Sequence, residues 1–249
     1  MPTSQGAAAP EQLPYWQVNM SLSQRPAHCP EFLLHVSDKD RGILSTRDED
    51  YRRSTWDEVK DIVARNDLAS FRRLPSDLRR YLEFKSAIEK RYGSMLHFVQ
   101  QERLQWPTVE PSGDAPFNKP TDYKILWNDW PYGIDTDITH LVVWTKFVFE
   151  VDPITGDITP SVRSAIEAFV RQQFCDPEQG GLDRSQVIWF KNWSSLRSVD
   201  AIEHCHVMLH QARRELVDKI TNGDRPLAEK VEASNVSISD MVIYRGWFA

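Results

Sequence analysis

The chain has 249 residues, enough for one large domain or two small ones, with 30 basic against 36 acidic side chains and a net charge of −6. An acidic balance argues against a nucleic-acid-wrapping chain, which needs a basic face, and is wrong for an anionic membrane surface. Hydrophobic residues make up 41% of the chain, enough to fill a core, and no apolar run approaches the roughly 18 residues of a spanning helix. The opening residues carry neither a charged n-region nor an apolar h-region, so no secretory signal is expected. Cys29, Cys175 and Cys205 are few, odd in number and far apart. They do not form a disulfide framework and fit a reducing compartment, taken as the cytoplasm with the nucleus left open. No CxxC pair exists, which excludes a cysteine-rich zinc site.

In chain order, residues 1–12 are small and polar and read as a disordered lead. The irregular apolar pattern of residues 13–34 reads as an extended arm lying across the body. Thr55 is an N-cap with Asp57 and Glu58 in the first turn, and Val59, Ile62 and Val63 give the apolar stripe of a helix. A second helix starts at Ser76 behind Pro75 and breaks at Gly93; a third ends at Pro107. Residues 54–106 are therefore expected to be helical, and 13–106 to form an arm plus a helical part. Five prolines and glycines punctuate residues 107–121, and the character of the chain then changes. Strands are expected at 123–127, 140–150, 187–191 and 201–210, because these runs are rich in β-branched and aromatic residues. Thr159 and Pro160 open a helix between the second and third of them, and Gly223 closes another after the fourth. The fold expected is α+β: a helical N-terminal part packed on an antiparallel sheet with flanking helices. Residues 107–226 form the sheet part, in one compact domain with 13–106. Residues 227–249 are a tail whose apolar end packs on the body or on a second subunit, as in a homodimer.

Three groups of residues carry chemistry. His204 and His206 sit two apart on a strand and so share a face, with Met208 and His210 following in the row, while Glu203 and Cys205 point away. Such a pair serves as divalent transition-metal ligands, as a nucleophilic or acid–base histidine held by its neighbour, or as two hydrogen-bonded strand residues with no chemistry. The run KNWSSLRSV (191–199) leaves one strand and enters the histidine strand. It offers Lys191, Asn192, Ser195, Arg197 and Ser198 as donors to an anionic phosphate, or forms an ordinary polar turn. The turn NDWPYG (128–133) supplies Asp129 as a carboxylate to orient an imidazole or join a metal shell, beside Trp130 and Tyr132; the same residues also suit plain turn chemistry. The histidines, Asn192 and the 128–132 turn are expected to line one pocket.

Several stretches, among them LPYWQVN, ILWNDWPYGID, HLVVWTKF, VIWFKNWSSLRSV and EHCHVML, resemble the fungal N-acetylglucosamine-induced protein 1 family, a domain family of unknown function. The likeness covers roughly residues 13–227, with Cys205 and Asp200 as departures. It implies induction by an amino sugar and supplies no reaction. A more distant resemblance links the second half to the histidine-triad and galactose-1-phosphate uridylyltransferase superfamily, through Tyr132, Gly133, His140, Lys146 and the 192–206 segment. That resemblance implies His206 as a nucleotidyl-accepting nucleophile, His204 as its neighbour, and Asn192 and Ser198 as phosphate contacts, with no cofactor required. Met208 at the third triad position and two extra residues before the histidines depart from the pattern. The functions expected are an enzyme acting on a small phosphorylated ligand, a nucleotide or phosphorylated (amino) sugar; a metal-dependent enzyme with His204 and His206 as ligands; or a non-catalytic sugar-responsive sensor.

Overall fold

The computed structural model describes residues 13–192, 199, 201–234 and 238–243. The expected disordered lead lies outside them. The helices of the first half are α1 (Asp38–Leu44), α2 (Trp56–Ala64), α3 (Pro75–Tyr92) and α4 (Met95–Phe98), the last running on as a π-turn over Val99–Leu104. Strands β1 (Tyr123–Trp127) and β2 (Ile138–Thr145) follow, then α5 (Pro160–Phe174), β3 (Val187–Phe190), β4 (Glu203–His210), α6 (Arg214–Thr221), α7 (Leu227–Ser234) and α8 (Ile238–Ile243). The fold is the α+β arrangement expected: one antiparallel sheet, order β1-β2-β4-β3. Among the described residues no helix is long and apolar enough to cross a membrane.

Local chemistry sets the helix ends. Thr55 and Glu58 form a reciprocal capping box at α2, and Thr159 caps α5 ahead of Pro160. Gly93 ends α3 at φ 75°, a conformation that disfavours any side chain. Three elements differ from those expected. Residues 13–34 are turns and short 3-10 segments rather than extended chain, though they do pack on α3 through Tyr15, Trp16 and Leu33. The unanticipated α1 has no periodic apolar stripe, only Ile43 and Leu44 at its end; it is nucleated by Ser37, whose side chain accepts the Asp40 amide. Strand β2 stops at Thr145, where the hydroxyl accepts the Phe147 amide and draws the chain out of the ladder.

Alternation along the strands gives the sheet two faces. Leu141, Val143, Val187, Cys205, Val207 and Leu209 face α5 and α6, packing on Ile166, Phe169, Val170, Phe174 and Val217. Each such fully buried side chain contributes about 1.5–3 kcal/mol. The other face meets the helical half in two clusters. Ile138, Phe190 and Met208 pack on Val59, Ile62 and Phe71. Leu126 and Trp130 pack with Phe84, Ile88 and Phe98 and with Leu227, Val231, Ile238 and Val242. The C-terminal helices therefore lie on this chain's own core; residues 244–249 are outside the described part. The histidines occupy the strip of sheet between the two clusters.

Candidate functional site

The antiparallel register brings three imidazoles together. His206 lies opposite Val142 on β2 and Phe190 on β3, His204 opposite Trp144, and His140 opposite Met208. His140 is thus diagonal to His206 on the same face, a separation that ring side chains span. Its Nε2 is 3.0 Å from His206 Nδ1. On its other side, His206 Nε2 is 3.0 Å from the amide nitrogen of Asn192. Asn192 follows Phe190 by two residues, so alternation keeps it on the histidine face. With the Asn192 amide donating to Nε2, the neutral His206 ring carries its proton on Nδ1 and donates it to His140. The same amide nitrogen donates to the Tyr132 hydroxyl at 3.2 Å, and the Asn128 amide nitrogen sits 3.3 and 3.2 Å from the two ring nitrogens of His140. His204 Nδ1 donates to the Ile202 carbonyl at 2.9 Å.

Aromatic rings enclose this row. Phe190 stacks on His206 with centroids 5.1 Å apart, Trp144 lies 4.4 Å from His204, and Tyr132 5.2 Å from His140. The turn carrying Tyr132 is held in place at Gly133, where a Cβ would fall 2.3 Å from the Tyr51 hydroxyl. Burial disfavours protonation and lowers the pKa of His140 to about 3, with Arg73 adding to the effect. Burial, then His140, His204 and Arg73, hold His206 well below the ordinary histidine value. Both rings are neutral at physiological pH. Cys205, on the other face, is inert: burial pushes its thiol up to about 12.

His204, His206, Asn192, Asn128, Asp129, Trp130 and Tyr132 line one cavity of about 110 Å³, so the expected clustering is found. Other expected site residues are placed differently. Lys191 points to the opposite side of the strand, 3.4 Å from the Glu203 carboxylate, because it is the immediate neighbour of Asn192 in the chain. Asp129 reaches the cavity, but its carboxylate is engaged by Arg103, with contacts of 3.0 and 2.8 Å, and by the Leu227 amide. Among the described residues the partners of His206 are therefore His140 and Asn192 rather than a carboxylate. Ser195, Arg197 and Ser198 lie outside the described residues. Among those that are described, no three His, Cys, Asp or Glu side chains converge to hold a metal ion. Alternation along residues 203–210 does not reach His140; its signal is the HxVxW alternation of residues 140–144, which puts it in line with the paired histidines once β2 and β4 are neighbours.

The fold and this cavity define a class: an α+β domain whose antiparallel sheet presents a hydrogen-bonded histidine row to a helical half. Residues 55–210 match the family described as protein of unknown function (DUF3605), and the chain belongs to that family. It is 27% identical over 188 residues to N-acetylglucosamine-induced protein 1 of Candida albicans, covering 68% of this chain and 73% of that protein. It is 26% identical over 200 residues to the uncharacterized protein YPL067C of Saccharomyces cerevisiae, covering 75% of this chain and 98% of that one. Among solved structures it is similar to the crystal structure of HTC1, with a TM-score of 0.53 and 26% identity over 68% of this chain and 96% of that one.

Proposed function

We propose that the chain is an enzyme acting on a nucleotide or phosphorylated (amino) sugar, with His206 as the nucleophile. The observation that carries this reading is the state of that ring: neutral, buried at a cavity wall, its Nδ1 bonded to His140 and its Nε2 turned to Asn192. A nucleophilic imidazole needs a free pair on one nitrogen and a partner on the other. In the reaction an incoming phosphoryl group replaces the Asn192 contact. The Nε2 pair forms the N–P bond as the P–O bond to the leaving group breaks, and that oxygen departs with its electrons. The positive charge gained by the ring is shared with His140 through Nδ1–H. Water or an acceptor hydroxyl then attacks phosphorus, its proton passing to the departed oxygen or to solvent, while the N–P bond breaks and returns its pair to Nε2. The name of the Candida relative, which records induction by N-acetylglucosamine, brings amino-sugar phosphates into the ligand set.

The test is a thermal-shift screen of nucleotides, nucleotide sugars and amino-sugar phosphates, followed by intact-protein mass measurement for a covalent adduct. His206→Asn should abolish the adduct and turnover while keeping the ligand shift, because asparagine retains hydrogen bonding without the nucleophilic pair. His204→Asn should be milder. Equal damage from both substitutions, with a metal found in the wild type and lost from each variant, would favour metal catalysis instead. Lowered stability in both variants with unaltered ligand affinity would remove both catalytic readings and leave a binding or sensing protein.

A further inference from the structure

Two permanently charged cations, Arg73 and Arg103, line the histidine cavity among the described residues. Arg103 is neutralised by Asp129 and Asp224. Arg73 is not: among the described residues it has no ion pair, and its hydrogen-bond partner is a neutral one, the Trp130 carbonyl at 3.1 Å from Nε. The guanidinium lies 4.1 Å over the Tyr81 ring and 5.6 Å from the Tyr132 ring, so its plane is fixed by packing rather than by a carboxylate. Tyr132 in turn is 6.4 Å from the His206 ring, and Arg73 depresses the protonation of both His140 and His206. The cation and the histidine pair therefore flank the same tyrosine. A partly buried guanidinium carries five donors in a fixed fork; here one is used on a carbonyl. Without an anion it keeps an uncompensated charge against an aromatic wall.

A second observation points to a ligand in the same space. Asn192 is buried, lines the cavity, and its side-chain carbonyl oxygen has no hydrogen-bond partner among the described residues. Trp130, also lining it, has a buried indole N–H without a partner among the described residues. Buried polar atoms are otherwise almost always satisfied. The open positions are a charge that needs an anion, an acceptor that needs a hydroxyl or N–H, and a donor that needs an oxygen.

We propose that Arg73 is the anion-recognition residue of this cavity, holding the phosphate of the ligand beside His206 while a hydroxyl of the same ligand donates to Asn192. This rests on the reading of the cavity as a site for a phosphorylated ligand, and it narrows the ligand to one with a hydroxyl close to its phosphate, as a sugar phosphate has. Arg73 positions the phosphorus; His206 attacks it.

Inorganic phosphate is the first probe, titrated into the full chain at constant ionic strength with binding read by calorimetry. Wild type should bind phosphate. Arg73→Met should weaken binding at least tenfold, Arg73→Lys should restore part of it, and His206→Asn should stay within about threefold of wild type. Acetate, a planar anion, should compete poorly. Arg73→Gln, which keeps a donor for the Trp130 carbonyl, serves as the second neutral variant if Arg73→Met fails to fold. Phosphate binding unchanged in the neutral variants would overturn the assignment of Arg73 and leave the His206 chemistry standing. Absence of phosphate binding in wild type would overturn it as well. Arg73-dependent phosphate binding without any covalent adduct or turnover would confirm Arg73 and reject the nucleophile.

Discussion

Replacing Arg103 by methionine should cost this protein more stability than the loss of an ordinary ion pair. Its side chain is 4% exposed and sits between Asp129 and Asp224, whose side chains are 20% and 10% exposed. Both Asp224 oxygens take guanidinium N–H groups, at 2.9 and 2.8 Å, and Asp224 also accepts the Trp127 amide. Asp129 accepts the Leu227 amide. One cation therefore ties the π-turn after α4 to the end of β1, to the histidine-side turn and to the start of α7. Burial alone would disfavour the charge on Arg103, but the two carboxylates outweigh it and raise its pKa. Burial already raises the pKa of Asp129. Removing the guanidinium leaves two desolvated carboxylates facing one another, an uncompensated arrangement that costs about 3–5 kcal/mol. In a domain of this size that corresponds to a fall in melting temperature of about 6–20 °C. The loss should depend on pH. A carboxyl whose folded pKa is raised is stabilising below its unfolded value, and that contribution is lost as pH rises through the folded pKa. The gap between wild type and Arg103→Met should therefore be largest near neutrality and narrow as pH falls toward the ordinary carboxylate range. Arg103→Met/Asp224→Asn should recover part of the difference by removing one charge. Thermal and urea unfolding across that pH range decide the matter. A gap below about 1 kcal/mol at pH 7, the size of an exposed pair, would refute the argument; so would a gap that did not change with pH.

His140 is held neutral, with a pKa of about 3 against 6.5 in the unfolded chain. Between these values the unfolded state binds the extra proton, so stability falls as pH drops through the window, by about 1.4 kcal/mol per pH unit for this group. His140→Asn should flatten urea-derived stability between pH 6.5 and 5 by that slope, and an undiminished slope would mean the ring is not the buried neutral group found here. Ile238 of α8 is buried against the α3 core; Ile238→Ala should cost about 2–5 kcal/mol in urea unfolding. A change near zero would show that α8 leaves the body in solution.

The elements read well from the sequence are those whose ends are set by neighbours in the chain. Thr55 with Glu58, Thr159 with Pro160, and Gly93 each carry their instruction within four residues. Helix α1 hides because its cap is not followed by a periodic apolar stripe. The end of β2 hides for a different reason. Residues 146–149 have the composition of a strand, but their place is set by tertiary partners such as the Asp122 carbonyl that takes the Lys146 amide. Composition describes what a segment tolerates, and pairing decides where it stops.

The site divides along the same line. Period-two alternation alone puts His204 and His206 on one face, and it also turns Lys191 to the side opposite Asn192. The contact that sets the His206 tautomer is of another kind. His140 is 66 positions away, and its ring meets His206 only through the β2–β4 register. Asp129 shows the converse. As a carboxylate two residues before the Pro131 turn it looks available to an imidazole, yet Arg103 and the Leu227 amide, 26 and 98 positions distant, engage it. A sequence motif thus locates the face on which chemistry can occur. Which nitrogen carries the proton, and which charge remains open to a ligand, follow from long-range pairing. For that reason the cavity is best probed through His140 and Arg73 as much as through the HxH pair itself.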